Sequence, residues 1–345
     1  MSKNNLNVVV IGSSAMAEFH MKGVMNYGEG VTLYGVCDIH EQYLTKAKEN
    51  VKFGDEVKLV TDYKEFVNDK NVDIAVIVTP DQTHEEITNA FLFAGKDVLC
   101  EKPMALTMEE CYSMMKAEKE SGRRLMIGQV CRFTPAFIMA KELVSSGRIG
   151  ELYFVESEYA HDYLKARGVD EWRVTPERHG IIGGGCHAID LLRWIAGNPT
   201  EVTAHSVHKL LKDWPAPDTS VAIFKFPSDV IGKVFVSISC KRDYTMRSVF
   251  YGTKGTIICD NTSTELTLYE MDENGEGYTT PKKLPVVVNN HNVTSEFKSF
   301  VDALRSGADT LPCSSLEGAS TVAVCRAAVE SYTNGESVKI KYPEV

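Results

Sequence analysis

Two short runs of the sequence bring together residue types that can move a proton. The first is Glu101-Lys102-Pro103, which closes the apolar run Asp97–Cys100. A residue before proline is held extended, so the backbone itself aims Lys102. The second is Gly183-Gly184-Gly185-Cys186-His187-Ala188-Ile189-Asp190, a glycine run that opens a helical stretch. His187 and Asp190 stand three apart and share one helical face. A neutral imidazole suits a general base, because its reference pKa lies near 6.5 and such catalysis contributes roughly 10²–10⁴ in rate. An ammonium beside the same oxygen would stabilise developing alkoxide charge. Together they suit removal of a hydroxyl proton while hydride leaves the same carbon, with either residue taking the proton. Asp190 would orient His187, bind a substrate hydroxyl, or simply pair with Arg193.

A departing hydride needs an acceptor, and the first 130 residues are organised to hold one. Apolar strand-like runs at Asn7–Ile11, Val31–Cys37, Val57–Val60, Asp73–Val78, Asp97–Cys100 and Leu125–Gly128 alternate with helical stretches such as Met16–Met25, Glu85–Ala94 and Met108–Ser121. This alternation predicts a doubly wound parallel sheet, whose ligands bind at the carboxyl ends of the strands. The first strand runs into Gly12-Ser13-Ser14-Ala15-Met16-Ala17. A dinucleotide turn usually reads G-x-G-x-x-G/A, so that the backbone can approach a pyrophosphate set at a helix N-terminus. Here Ser14 takes the middle glycine position. The second strand ends at Asp38, where an acid can accept hydrogen bonds from ribose hydroxyls and repel a 2′-phosphate, favouring NAD over NADP. The same Asp38 also suits a cap for the helix beginning near His40.

After about residue 150 the pattern changes. A helix at Ala136–Ser145 and a strand at Tyr153–Tyr159 precede the helix at His187–Ile195. Strands then follow at Glu201–His208, Ser220–Phe226, Ile231–Cys240, Thr245–Gly252 and Gly255–Cys259. Hairpin-like spacing predicts a mostly antiparallel sheet. The polar segment Met271–Lys283 reads as a loop or hairpin tip. Helices at Ser295–Ser306 and Leu316–Thr333 and a strand at Val338–Lys341 end the pattern. The expected division is residues 1–128 as an α/β dinucleotide-binding domain and 129–345 as an α+β domain, to which the resemblance given below assigns substrate binding and oligomerisation.

With these motifs in order, the sequence resembles the glucose–fructose oxidoreductase / inositol dehydrogenase (Gfo/Idh/MocA) family. The resemblance rests on Gly12 to His20, Thr79-Pro80 with His84, Gly95 to Pro103, Arg132-Phe133 with Pro135, Gly147 to Gly150, Trp172-Arg173, and Gly-x-His-x-x-Asp at 185–190. It implies a Rossmann domain followed by an open antiparallel-sheet domain, with Lys102 and His187 facing the reacting carbon of a sugar or polyol. The expected cofactor contacts are Gly12, Ser13, Ser14, Ala15, Met16, Asp38, Ile39, Thr79, Pro80, His84, Glu101, Lys102 and Gln129. Substrate contacts are expected from Lys102, Arg132, His161, Tyr163, Trp172, Arg173, His179 and His187, and catalysis from Lys102, His187 and Asp190. Many family members carry an Asp four residues before the histidine, where this chain has Gly183. Asp162 and Asp190 are the candidates to replace it. His205, His208 and His291 read as ordinary strand or loop histidines.

The leading expectation is therefore an NAD-dependent dehydrogenase for a sugar, sugar derivative or cyclitol. A glycosidase that oxidises transiently through tightly held NAD would carry similar motifs. A dinucleotide-sensing regulator would share the fold but has no need of both Lys102 and His187. The 345 residues carry 43% hydrophobic and 24% charged residues and a net charge of −10. That balance disfavours nucleic acid or an anionic membrane as an obligate partner. No run approaches the roughly 18 apolar residues of a membrane-spanning helix, and the N-terminal run is too short for a signal peptide. Nine cysteines occur without a Cys-x-x-Cys pair, which predicts reduced thiols in the cytoplasm and no structural zinc or other metal. The resemblance also implies a homodimer or homotetramer.

Overall fold

The computed structural model describes residues 5–227 and 229–344, which fall into two compact units. Strands β1 (Leu6–Ile11), β2 (Val31–Cys37), β3 (Lys58–Val60), β4 (Ile74–Ile77), β5 (Asp97–Glu101) and β6 (Leu125–Gly128) form a parallel sheet in the order β3-β2-β1-β4-β5-β6. Helices α1 (Ala15–Met25), α2 (Glu41–Val51), α3 (Lys64–Asn68), α4 (His84–Phe93) and α5 (Met108–Ser121) supply the crossovers. All four residues of β4, Ile-Ala-Val-Ile, are buried. So are the four of β6, as expected of strands covered on both faces. The sharpest helix boundaries follow local chemistry. Thr107 and Glu110 make a reciprocal capping box before α5, and Gly122 closes that helix in the left-handed conformation.

The second unit is built on a nine-stranded sheet. Its strands are β7 (Leu152–Ala160), β8 (Glu201–Val207), β9 (Thr219–Lys225), β10 (Ile231–Ser237), β11 (Thr245–Gly252), β12 (Gly255–Asp260), β13 (Glu265–Glu270), β14 (Lys282–Pro285) and β15 (Val338–Lys339), ordered β14-β13-β12-β11-β7-β10-β9-β8-β15. Every pairing is antiparallel except β7 with β10. The polar segment after β13 is a hairpin tip, and Lys282 and Lys283 already belong to β14. Helix α6 (Pro135–Ser145) packs on β12 and β13. After α7 (Gly180–Gly183), helix α8 (Cys186–Ala196) packs on β7 and β10.

The chain then returns to the first unit. Residues 292–319, with helix α9 (Val293–Ser306) and the start of α10 (Ser315–Asn334), group with residues 1–129. α9 packs on α1, Ile127 N–H donates to the Cys313 carbonyl at 3.0 Å, and Gly318 lies against the Ile127 side chain. A single cut after residue 128 does not separate this excursion, because nothing in local composition marks it. All nine cysteines are free thiols, and only Cys240 is not buried. Among the described residues, no helix is long and apolar enough to cross a membrane.

Candidate functional site

In the first unit, the turn after β1 is shaped as a phosphate cradle. Gly12 has φ of +103°, and a Cβ there would stand 2.5 Å from the Val78 carbonyl oxygen, so only glycine fits. Ser14, at the middle glycine position of the motif, is exposed and extended at the N-cap of α1, and its side chain does not cap the helix. The first-turn N–H groups at Ala15 and Met16 therefore keep their donors and the positive end of the helix dipole for an anion. The Ser14 side chain is accommodated because it points outward.

Both carboxylate oxygens of Asp38 are engaged within the first unit. Its Oδ1 accepts the His40 N–H at 2.9 Å, at the N-cap of α2. Its Oδ2 accepts Ser13 N–H at 3.0 Å and Ser13 Oγ–H at 2.6 Å. The carboxylate thus clamps the glycine turn to the end of β2 and places a negative charge there. Beside it, Ile39 is 77% exposed, unusual for so apolar a side chain. Residues Gly12, Ser13, Ala15, Asp38 and Ile39 have the shape and charge that the dinucleotide requires, the test being the cradle that a Cβ would fill.

His84 differs from its expected role as a cofactor contact. It is wholly buried, with Nδ1 2.9 Å from the Pro103 carbonyl and Nε2 3.1 Å from the Thr79 carbonyl. Two carbonyl partners require two ring N–H donors, which only the imidazolium has. Burial opposes that charge, but neighbouring Cys100 and Asp81 and the Pro103 carbonyl outweigh it and push the pKa up to about 10. His84 thereby staples the turn after β4 (Thr79, Pro80) to the turn after β5.

On β5, Glu101 is buried, and its Oε2 accepts the Lys102 backbone N–H at 3.0 Å. Its Oε1 lies 2.9 Å from His20 Nε2. The Lys102–Pro103 peptide bond is cis. Lys102 itself is half-buried at the carboxyl edge of the sheet. Gln129, just beyond β6, is 1% exposed, and its Oε1 has no hydrogen-bond partner.

In the second unit, His187 sits in the first turn of α8 and is 3% exposed. Its Nδ1 is 3.5 Å from Cys131 Sγ, and its ring stacks on Tyr159 with centroids 6.1 Å apart. Tyr159 Oη meets Tyr163 Oη at 2.7 Å and His161 Nδ1 at 3.3 Å. Tyr244 packs on both Tyr159 and His161 and stacks on His291. His187, His161 and Tyr163 are thus brought into one aromatic cluster. Cys131, Tyr159, Tyr244 and His291 are the members the motifs did not reveal; His291 lies in a turn, as expected, and joins through its stacking on Tyr244. Only the alternation of β7 could have pointed to Tyr159.

Asp190 does not orient His187. It is fully buried, and both oxygens engage Arg132, Oδ2 with Nε at 2.7 Å and Oδ1 with Nη2 at 2.8 Å. Thr321 also donates to Oδ1, at 2.8 Å, whereas Arg193 Nη1 is 3.8 Å away. The bidentate geometry of a guanidinium fork wins over the weaker i,i+3 contact. Arg132 and Asp190 accordingly form a buried framework pair, a correction to their expected substrate and catalytic roles. His179 is likewise engaged, by Tyr332 Oη at 2.7 Å, and burial, with Arg326 nearby, lowers its pKa.

The position of the missing Asp is filled by a cation. A Cβ on Gly183 would stand 2.3 Å from Arg178 Cζ. Arg178 is 3% exposed and lies over the Trp172 ring at 4.9 Å, while Arg173 lies over the same ring at 4.0 Å. Neither candidate replacement moves in. Asp190 is held as above, and Asp162 is held by the Leu164 N–H and by Lys241 at 2.9 Å, which together lower its pKa.

Comparison with known proteins identifies the family. The sequence pattern of an oxidoreductase family with an NAD-binding Rossmann fold, Gfo/Idh/MocA, matches residues 6–129. The pattern of that family's C-terminal domain matches residues 137–258. Inositol 2-dehydrogenase 2 of Saccharopolyspora erythraea is 30% identical over 268 residues, 77% of this chain and 76% of that protein. The chain belongs to the Gfo/Idh/MocA oxidoreductase family. Myo-inositol 2-dehydrogenase of Thermotoga maritima is 26% identical, covering 97% of this chain and 99% of its own. A levoglucosan dehydrogenase solved with NADH has the same fold, with a TM-score of 0.88 at 21% identity, over 98% of this chain and 100% of that one. The cofactor of this oxidoreductase is NAD.

Proposed function

We propose that this oxidoreductase is a dehydrogenase for a secondary alcohol of a sugar, sugar derivative or cyclitol, with Lys102 and His187 handling the hydroxyl proton. Bound NAD supplies the hydride acceptor. The observation that carries the reading is His187, buried at the start of α8 with Nδ1 against Cys131 and its ring held flat on Tyr159. A ring so fixed would present Nε2 as the nitrogen that exchanges a proton with substrate. Lys102, fixed through its own N–H to Glu101, would hold its ammonium toward the developing alkoxide. The phenol hydroxyls of Tyr159 and Tyr163 and the ring nitrogens of His161 suit a polyol, which must be gripped by several directed hydrogen bonds. The inositol and levoglucosan dehydrogenases to which the chain is similar add support for that class.

The first unit would bind NAD through Gly12, Ser13, Ala15 and Met16 at the pyrophosphate, Asp38 at the adenosine ribose and Ile39 against adenine, with Thr79, Pro80, Glu101 and Gln129 lining the strand ends. The second unit, with Trp172 and Arg173, would bind substrate and carry the oligomer contact. We place the enzyme in the cytoplasm, where its nine thiols would stay reduced. The test is a panel of sugars, glycosides and cyclitols with NAD and then NADP, following reduced-nicotinamide absorbance. Turnover of a polyol or free sugar with NAD is expected. Release of an aglycone from glycosides without net NADH would overturn the dehydrogenase reading.

A further inference from the structure

Helix α9 places a carboxyl group where a soluble protein rarely tolerates one. Glu296 is 0% exposed, and neither Oε1 nor Oε2 has a hydrogen-bond partner. Its ligand atoms, those of Glu101 and those of His20 all lie within 4.8 Å of one another. The charged and titratable groups facing it are His20 from α1, Glu101 from β5 and Lys102 just after it. The other charges of α9, Lys298, Asp302 and Arg305, gather at Tyr27 instead. We propose that Glu296 is a positioning residue for Lys102, acting as the neutral, protonated member of a buried His20–Glu101–Glu296 cluster in which Glu101 carries the single negative charge.

The charge balance requires this division. Two buried carboxylates under 5 Å apart would leave two anions to be solvated by one ring and one ammonium, at a penalty of several kcal/mol per ion. One proton on the pair removes the repulsion, as in carboxyl pairs that share a site. The environments choose which one carries it. Burial would push Glu101 up, but its hydrogen bond to His20 and the adjacent Lys102 charge and N–H hold it below the usual range. Glu296 has no such donors, and burial and the Glu101 charge push it well above the usual range. Two carboxyls driven apart by their surroundings take different roles. Glu101 remains the anion that fixes Lys102 from behind. Glu296 seals that anion from water without adding a second charge, so that Lys102 faces a constant field across neutral pH.

The proposal rests on the reading of Lys102 above, and its test separates the two. Infrared difference spectra of wild type against Glu296→Gln at pH 7 are expected to show a protonated-carboxyl carbonyl band that the variant loses. Carboxylate bands alone would overturn the proposal. So would a divalent cation retained stoichiometrically by the wild type and lost from the variant, because it would make Glu296 an anionic ligand. Kinetics supply the second arm. Glu101→Gln is expected to lower kcat by about tenfold or more and to move its alkaline limb to lower pH, since Lys102 loses the adjacent charge. Glu296→Gln keeps shape and neutrality, so its loss in kcat is expected to stay under about threefold, with the limb shifted by less than about half a pH unit. Glu296→Leu is expected to lower kcat further while the KM for NAD holds. Equal losses from the two Gln variants would overturn the positioning role. Full activity of Lys102→Ala would defeat the reading of Lys102 and leave the infrared result to stand alone.

Discussion

At the scale of residues, Lys102, His187 and Asp190 all read in the sequence as candidates for the chemistry, and the structure separates them. Lys102 stays half-exposed at a strand end, and His187 is packed but oriented. Asp190 is consumed by Arg132 and Thr321. Lys102→Ala should therefore lower kcat by about 10²-fold or more with a small change in melting temperature, as stopped-assay kinetics beside calorimetry would show. His187→Gln should do the same. Asp190→Ala should behave oppositely, because it strands a buried guanidinium. The expected loss is about 3–5 kcal/mol of stability, measured by denaturant unfolding, with kcat of the folded fraction changed far less than by the Lys102 or His187 variant.

At the scale of elements, the site of the first unit depends on how strand ends are tied together. Gly12→Ala forces a Cβ to 2.5 Å from the Val78 carbonyl and a positive φ on alanine, so NAD affinity should fall by at least about tenfold in a fluorescence titration. The His84 staple makes a pH-dependent contribution. Its folded pKa, about 10, lies above the roughly 6.5 of an unfolded histidine. Its stabilisation is then fully present below about pH 6.5 and fades as pH rises toward the folded value. Relative to the wild type, His84→Gln should be destabilised strongly at pH 6 and progressively less toward pH 10. A constant difference across that range would show that the ring is neutral.

At the scale of the whole molecule, the outward face of the nine-stranded sheet suggests association. Ile223 and Ile231 are 42% and 49% exposed, on neighbouring strands where Ile223 pairs with Lys233 and Ile231 with Lys225 and Phe154. Nearby, Lys233 pairs with Glu156 at 2.6 Å, and Arg247 lies 3.4 Å from the same carboxylate. Exposed isoleucines beside ion-paired side chains suit burial against another copy. Light scattering should report a dimer or tetramer, and Ile223→Lys with Ile231→Lys should shift it to a smaller species while NAD binding persists. A wild-type monomer at micromolar concentration would rule this out.

Much of the fold was legible because it is written locally. The β2, β6, α5 and β11 boundaries follow directly from apolar runs, the capping box at Thr107 and Glu110, and the glycines at 122 and 252. The cradle at Gly12 and the acid at Asp38 were legible for the same reason, since each lies within a few residues of the element it serves. What only tertiary structure decided is pairing across long sequence separations. Arg132 reaches Asp190, Arg178 fills the space at Gly183, and residues 292–319 return to bring Glu296 to Glu101. Periodicity and motif spacing report which face a side chain takes on its own element. They carry no information about which distant charge will meet it once water is excluded, and in this protein that is where the roles of Asp190 and Glu296 were set.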